Sequence, residues 1–409
     1  MPGSLHVFLG ATRVGTLANL DGDYNLFTFD QAYLDDPQRA VLSQGLIGKS
    51  GEPIARIPRI QTVAPPFFAN LLPEEGSLLR SIVARQYAIN SRRDYPFLRV
   101  LGADLPGAVI LRGPEDAGDA PESSDVAIPE EQPLRFSLAG VQAKFSATAL
   151  DKRLSIPVSG VGGSWIVKLP ANAFARLPEN EFVIMTLARA IGLDVPEIRL
   201  VDLDEIDGLP RELPELRADE PRLAYAIRRF DRAPGVRMHA EDFNQIANLA
   251  PEKKYDAKPS HWLAQVTHAL CPFEDVEQLV RRLVFGVCVG NNDMHLKNWS
   301  IIYPNGRDAR LAPMYDFVCT RAYYPAGALA LTIGEERTFE SIDVTVLTRF
   351  ARRAALSERR TLILAAEVVE RLHDAWRDLQ PTIDNPALVG ALERTFAAVP
   401  LMRGSSKRE

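Results

Sequence analysis

The sequence predicts an α+β fold with a β-rich first half and a helical second half. Three observations carry this. Before Ala240, short alternating apolar segments are broken by turn residues, the period-two signature of strands. From Ala240 onward, apolar residues recur at helical spacing. A polar knot, Gly290-Asn291-Asn292-Asp293-Met294-His295-Leu296-Lys297-Asn298, stands between the apolar run Leu279–Val289 and the apolar segment Trp299–Tyr303. Such a knot between two buried elements is where chemistry tends to be displayed.

Taken in order, Leu5–Leu9, Val14–Leu17 and Tyr24–Phe29 read as strands, the last entered through an Asn19–Asp23 turn with Gly22. Leu78, Leu79, Ile82, Val83 and Tyr87 fall on one helical face. The stretch Gly113–Pro133 is acidic and rich in Pro, Ser and Gly, as a linker or long loop is. Strand character returns through Leu134–Pro170 and ends in Trp165-Ile166-Val167-Lys168-Leu169. Pro178-Glu179-Asn180-Glu181 opens a helix, with Gly192 placed as its C-terminal cap. Ile198–Leu203 and Leu223–Arg229 read as strands. Glu241–Leu249, Trp262–Leu270, Val276–Val289, Val344–Ala355, Ser357–Leu379 and Asn385–Val399 read as helices. Trp299–Ala312 has the character of a hairpin. The expected division is a β-rich subdomain over 1–112, a linker or long loop over 113–133, the remainder of a β-rich lobe over 134–239, an all-α lobe over 240–402 and a disordered tail over 403–409.

The chain has 409 residues, 46% hydrophobic and 24% charged, which suits two or three ordinary globular domains. No apolar run is long enough to span a bilayer, and Met1–Gly10 lacks the pattern of a secretory signal. Cys271, Cys288 and Cys319 each sit among apolar neighbours, so buried free thiols and a cytoplasmic protein are expected, with no membrane partner. A net charge of −6 argues against strong autonomous nucleic-acid binding.

The knot has the makings of phosphoryl transfer, which needs positioning and charge neutralisation more than covalent chemistry. Asp293 and Asn298 stand five apart, the separation between catalytic base and metal-binding amide in a kinase catalytic loop. Asp316, in Met314-Tyr315-Asp316-Phe317, follows the hairpin in the place of a second Mg2+ ligand; Val318 stands where protein kinases have glycine. The bland alternative is a polar turn with a helix cap, which His295, Lys297 and Asp316 together make less economical. His295 supports the loop or contacts nucleotide, and Lys297 either meets phosphate or is solvated. Lys168 ends an apolar strand, a costly place for a lysine without an anionic partner. Glu181, on the following helix, is the candidate, unless it merely serves the helix dipole. Ser159–Gly163 reads as a hairpin turn. Ser137-Leu138-Ala139-Gly140-Val141-Gln142-Ala143-Lys144 is the better phosphate loop, since small residues let backbone N–H groups approach an anion.

With these residues assembled, the chain resembles the HipA family of bacterial serine/threonine kinase toxins. The resemblance is carried by Phe136–Lys144, Ile166-Val167-Lys168-Leu169-Pro170, Glu179-Asn180-Glu181-Phe182, Arg229-Phe230-Asp231-Arg232, Glu241–Gln245, Lys253-Lys254-Tyr255, Asn292–Asn298 and Tyr315-Asp316. It implies a two-lobed protein-kinase-like fold using ATP and Mg2+. Asp293 would be the catalytic base, with Lys168 and His295 in the catalytic set. Asn298 and Asp316 would hold the metal. Ala139, Gly140, Val141, Gln142, Ala143 and Lys144 would cover the phosphates. Arg228, Arg229 and Phe230 would form the hinge under the adenine, and Lys297 and Tyr315 would complete the nucleotide site. Ser137 matches a serine that relatives autophosphorylate with loss of activity; a phosphate there adds about −2 charge and repels the nucleotide's own.

The resemblance also implies a protein substrate, an aminoacyl-tRNA synthetase in some relatives. It implies a helix-turn-helix antitoxin as partner and operator DNA reached only through the antitoxin complex. Two other readings share parts of the pattern. A small-molecule kinase of the aminoglycoside or choline type also uses Asp-x-His-x-x-Asn. An inactive, DNA-bound corepressor would keep the fold without the chemistry.

Overall fold

The computed structural model describes residues 3–54, 56–114, 144–150, 153–155, 163–209, 220–233, 235–255 and 258–403. Two compact units emerge: Met1–Asn172, Val201–Lys253 and Ile302–Asp308 form the first, and Ala173–Leu200, Lys254–Ile301 and Ala309–Glu409 the second.

In the first unit an antiparallel sheet runs in the order Ile60–Gln61, Tyr24–Phe29, Thr12–Leu20, Gly3–Leu9, Val109–Arg112. Leu5, Val7 and Leu9 are buried, while His6 and Phe8 between them are only half-buried, as period two requires. The turn into Tyr24–Phe29 uses Gly22 at φ +73° and Asp23 at φ +62°, left-handed conformations that glycine and aspartate tolerate. A second sheet includes, in order, Ile206–Asp207, Arg153–Ser155, Lys144–Leu150, Trp165–Lys168 and Leu223–Arg228. One continuous apolar core runs through both, from Leu5, Leu17, Phe27 and Phe68 to Phe145, Val167 and Ala226.

The segment read as a helix over Glu241–Leu249 is a strand, His239–Asp242, followed by a short helix, Phe243–Ile246. The reason is a capping box. The Asp242 carboxylate accepts from Gln245 N–H at 2.8 Å, and the Gln245 side chain accepts from Asp242 N–H at 2.8 Å. Long-range partners then hold the segment. Gln245 Nε2 donates to Phe67 C=O at 2.9 Å, Asn244 Nδ2 to Asn70 Oδ1 at 2.9 Å, and Asn70 Nδ2 to Leu249 C=O at 2.8 Å. Glu241 is buried among Ser43 Oγ at 2.7 Å, Gln44 N–H at 2.9 Å and the Tyr303 hydroxyl, all three donating to it. Gly45 lets the backbones meet: a Cβ there would lie 2.2 Å from Gln245 C=O.

The second unit is helical: Leu177–Ala190, Ser260–Leu270, Phe273–Cys288, Val344–Arg353, Glu358–Leu379, Pro386–Ala398 and Pro400–Arg403. Asp343, Ser357 and Asn385 cap three of these helices through their side chains. Leu177–Ala190 ends in a Schellman motif, with Gly192 at φ +86°, Gly192 N–H on Arg189 C=O and Leu193 N–H on Ala188 C=O. Glu358–Leu379 packs along Phe273–Cys288. Helix at Pro400–Arg403 carries the chain one residue into the stretch expected as tail; 404–409 lie outside the described residues. Cys271, Cys288 and Cys319 are free thiols, the last two buried. Among the described residues, no helix is long and apolar enough to cross a membrane.

Candidate active site

In the second unit the Phe273–Cys288 helix ends at Cys288, and Gly290, at φ +73°, turns the chain into the polar loop. The loop is fixed by its own polar groups. The Asn291 side chain, fully buried, accepts from Asp293 N–H at 2.9 Å, and Thr320 Oγ1 accepts from Asn292 N–H at 2.6 Å. Thr320 Oγ1 donates in turn to Gly290 C=O at 3.0 Å. The Asp293 C=O accepts from His295 N–H at 2.8 Å and from Asn298 Nδ2 at 2.8 Å. Below, Met294 is buried against Gly286, where a Cβ would lie 2.1 Å from Met294 Sδ and 3.1 Å from a Phe317 ring carbon. The loop therefore packs tightly on this helix position, where an added methyl group would force Met294 to shift.

The result is a carboxylate-and-amide pair with the carboxylate facing outward. The Asp293 side chain is 44% exposed, whereas His295, Lys297 and Asn298 are buried. With Nδ2 of Asn298 committed to a carbonyl, its amide oxygen is the atom that could bind a hard cation. His295 is held neutral, its pKa well below the ordinary value through burial first and then the Lys254 and Lys297 cations, with Asp316 opposing them. Its Nε2 lies 3.9 Å from Asp293 Oδ1, beyond hydrogen-bond reach.

Asp316 sits at φ +57°, one of few non-glycine residues in the left-handed region, a conformation that clusters at functional positions. Tyr315 anchors it to the loop: its hydroxyl donates to Lys297 C=O at 3.0 Å and contacts Ser300 Oγ at 2.5 Å. On the other side, Asn180 grips the main chain of Cys319, accepting from its N–H at 2.8 Å and donating to its C=O at 3.0 Å. Among the described residues no cluster of three or more His, Cys, Asp or Glu forms a metal cage. One amide and one carboxylate are what Mg2+ needs when substrate phosphates and water supply the remaining oxygens.

In the first unit, strand register makes Lys144 and Tyr225 the cross-strand partners of Lys168, one on each side. Lys168 is buried, with Nζ 5.6 Å from the Tyr225 ring centroid. The register thus sets two lysines directly opposite one another on neighbouring strands. Lys168 and Glu181 belong to different units, and Glu181 is buried in the Leu177–Ala190 helix.

The three residues expected as a hinge differ in kind. Arg228 is exposed and Phe230 half-buried. The Arg229 side chain turns inward, donating to Asp231 at 2.9 and 2.8 Å and to Ser146 Oγ at 3.0 Å. Arg232 donates to Asp231 at 2.9 Å and to Asp104 at 2.9 Å, and Asp231 also accepts from Gly107 N–H at 2.8 Å. Burial works to raise the Asp231 pKa, but Arg229 and Arg232 hold it far below the carboxylate range. The Arg229 guanidinium is thus a structural ion-pair partner, and only its main chain could face a nucleotide.

Ser137, Ala139, Gly140, Val141, Gln142 and Ala143, with most of the Ser159–Gly163 turn, lie outside the described residues. Asn291, Asn180 and Thr320 have no role that was read from the sequence. An Asn two residues before Asp293, able to accept from the backbone N–H two on, was the available signal for Asn291. Asn180 and Thr320 act through chain segments distant in sequence and carry no local signal.

A β-rich unit bearing paired lysines and a helical unit bearing a carboxylate–amide loop make a two-lobed α+β fold of the protein-kinase type. The HipA protein in a Shewanella oneidensis complex of HipA, HipB and operator DNA matches this fold with a TM-score of 0.73 at 21% identity, covering 98% of this chain and 96% of that one. Residues 5–112 match the HipA N-terminal domain and 136–376 the HipA-like C-terminal domain. A Sinorhizobium fredii protein named "Putative kinase Y4dM" is 41% identical, over 96% of this chain and 98% of the relative. The Shewanella oneidensis "Serine/threonine-protein kinase toxin HipA" is 24% identical, over 69% of this chain and 70% of the relative. The chain belongs to the HipA family and is a HipA-family kinase.

Proposed function

We propose that this chain is an ATP- and Mg2+-dependent serine/threonine protein kinase acting as the toxin of a toxin–antitoxin pair. The observation that carries the proposal is the loop Asp293–Asn298. It presents an exposed carboxylate on a backbone pinned by Asn291, His295 and Asn298, with Asp316 tied alongside through Tyr315. In this reading Asp293 orients the acceptor hydroxyl and takes its proton. Asn298 and Asp316 offer oxygens to Mg2+, whose charge neutralises the phosphates when bound. Lys168 and Lys144 steady the phosphates, Ala139–Ala143 supply the phosphate loop, and Lys297 adds charge. Arg228, the Arg229 main chain and Phe230 lie under the adenine. Ser137 is the inhibitory autophosphorylation site.

The name of the Shewanella relative supports hydroxyl specificity on protein. The HipA–HipB–operator DNA complex supports an antitoxin partner and a link to operator DNA; in this reading the antitoxin is of the helix-turn-helix type and DNA is reached only through it. An aminoacyl-tRNA synthetase is the substrate to try first.

The test is incubation of the full chain with radiolabelled ATP and Mg2+, alone and with candidate proteins, followed by mapping of the label. Transfer is expected to need Mg2+, to mark Ser137 and to fall about 10²–10⁴-fold in Asp293→Ala. Label confined to a small aminoglycoside would turn the reading to a small-molecule kinase. Operator binding with the antitoxin but no transfer to any acceptor would turn it to an inactive corepressor.

A further inference from the structure

We infer that Tyr255 is a positioning residue for the base, its phenol holding the Asp293 carboxylate in the orientation that accepts a proton. The inference rests on the kinase reading above and adds a residue to which that reading assigns nothing. Three contacts within the second unit converge on it. The Tyr255 hydroxyl donates to Asp293 Oδ1 at 3.0 Å. The Tyr255 ring meets the His295 ring edge to face, with centroids 5.0 Å apart and planes at 82°. The Lys254 C=O accepts from Leu296 N–H at 3.1 Å, so the segment bearing Tyr255 is tied to the catalytic loop by its main chain as well.

The bonds that Asn291, His295 and Asn298 make to Asp293 hold its main chain, whereas the Tyr255 phenol reaches its carboxylate. The carboxylate itself stands 44% exposed on two rotatable bonds, and His295 Nε2 is too far from Oδ1 to bond it. A charge-assisted bond from a rigid phenol is the strong kind of hydrogen bond, and it selects one orientation of the acceptor. The phenol is itself rigid because its ring is packed on a buried histidine and carries the Lys254 ammonium 5.2 Å from its centroid. Tyr255 remains 38% exposed, beside an Asp293 side chain that is itself 44% exposed.

The experiment compares full-length wild type, Tyr255→Phe and Tyr255→Ala in steady state with MgATP and casein as acceptor, alongside thermal unfolding of each. Tyr255→Phe keeps the ring and removes only the donor. Its kcat is expected to fall about 10-fold, equivalent to about 1.4 kcal/mol, with KM for ATP and the unfolding midpoint unchanged. Tyr255→Ala loses the packing as well, so its kcat falls at least as far and its midpoint drops. Wild-type kcat in Tyr255→Phe would overturn the inference. So would a loss in which KM for ATP and the midpoint change together with kcat, since that marks a merely structural role. Phosphate mapped to Tyr255 itself in the wild type would make it an acceptor and overturn positioning. If wild type neither transfers phosphate nor binds MgATP, the kinase reading fails; if wild type is active and Tyr255→Phe matches it, only this role fails.

Discussion

Glu241→Gln should remove one pH-dependent contribution to stability. The Glu241 carboxyl is buried in the first unit against Ser43, Gln44 and Tyr303. Burial pushes its pKa from the ordinary 4.5 up to about 7, despite the hydrogen bonds that pull it down. The folded chain therefore keeps this proton between those two pH values while the unfolded chain has released it. The stability this contributes is fully present below about 4.5 and is lost as pH rises through about 7. At about 1.36 kcal/mol per pH unit, the whole effect is about 3 kcal/mol. Glutamine fits the same donors: its oxygen can accept from Gln44 N–H and the Tyr303 hydroxyl, and its Nε2 can donate to Ser43 Oγ. Urea denaturation of both proteins, followed by circular dichroism at about pH 5 and about pH 8, isolates the site because other titrating groups cancel in the difference. The stability of Glu241→Gln relative to wild type should grow by about 2–3 kcal/mol between these conditions. A difference that stays constant within about 0.5 kcal/mol would refute the argument.

Two further substitutions test the scaffolds of the candidate site. Gly286→Ala puts a methyl group 2.1 Å from Met294 Sδ, so overpacking should cost about 1–3 kcal/mol and displace the loop that bears Asp293. Full turnover with unchanged stability would show that the loop does not depend on that contact. Asp231→Ala strips Arg229 and Arg232 of a buried carboxylate and should lower stability by about 3–5 kcal/mol, read from thermal or urea unfolding. Retention of wild-type stability would mean that Asp104 alone neutralises both guanidiniums.

Much of this protein was legible wherever the signal was local. Alternation over Leu5–Leu9, the turn glycine Gly22 and the C-terminal Gly192 each act within a few residues, and each element appears where its pattern placed it. The loop Asp293–Asn298 was legible for the same reason, since its internal hydrogen bonds span at most five residues. The segment Glu241–Leu249 was misread as helix because its strand and capping box serve partners at Ser43, Phe67 and Asn70, some 170 to 200 positions away.

The inward turn of Arg229, the pairing of Lys144 with Lys168 and the reach of Tyr255 to Asp293 belong to the same category. Periodicity and capping are short-range sterics, and they are written into neighbouring residues. Which buried charge meets which depends on how strands register and which chain segments pack together. Desolvation then penalises every arrangement in which a charge is left alone, so the choice is made only when the chain is assembled.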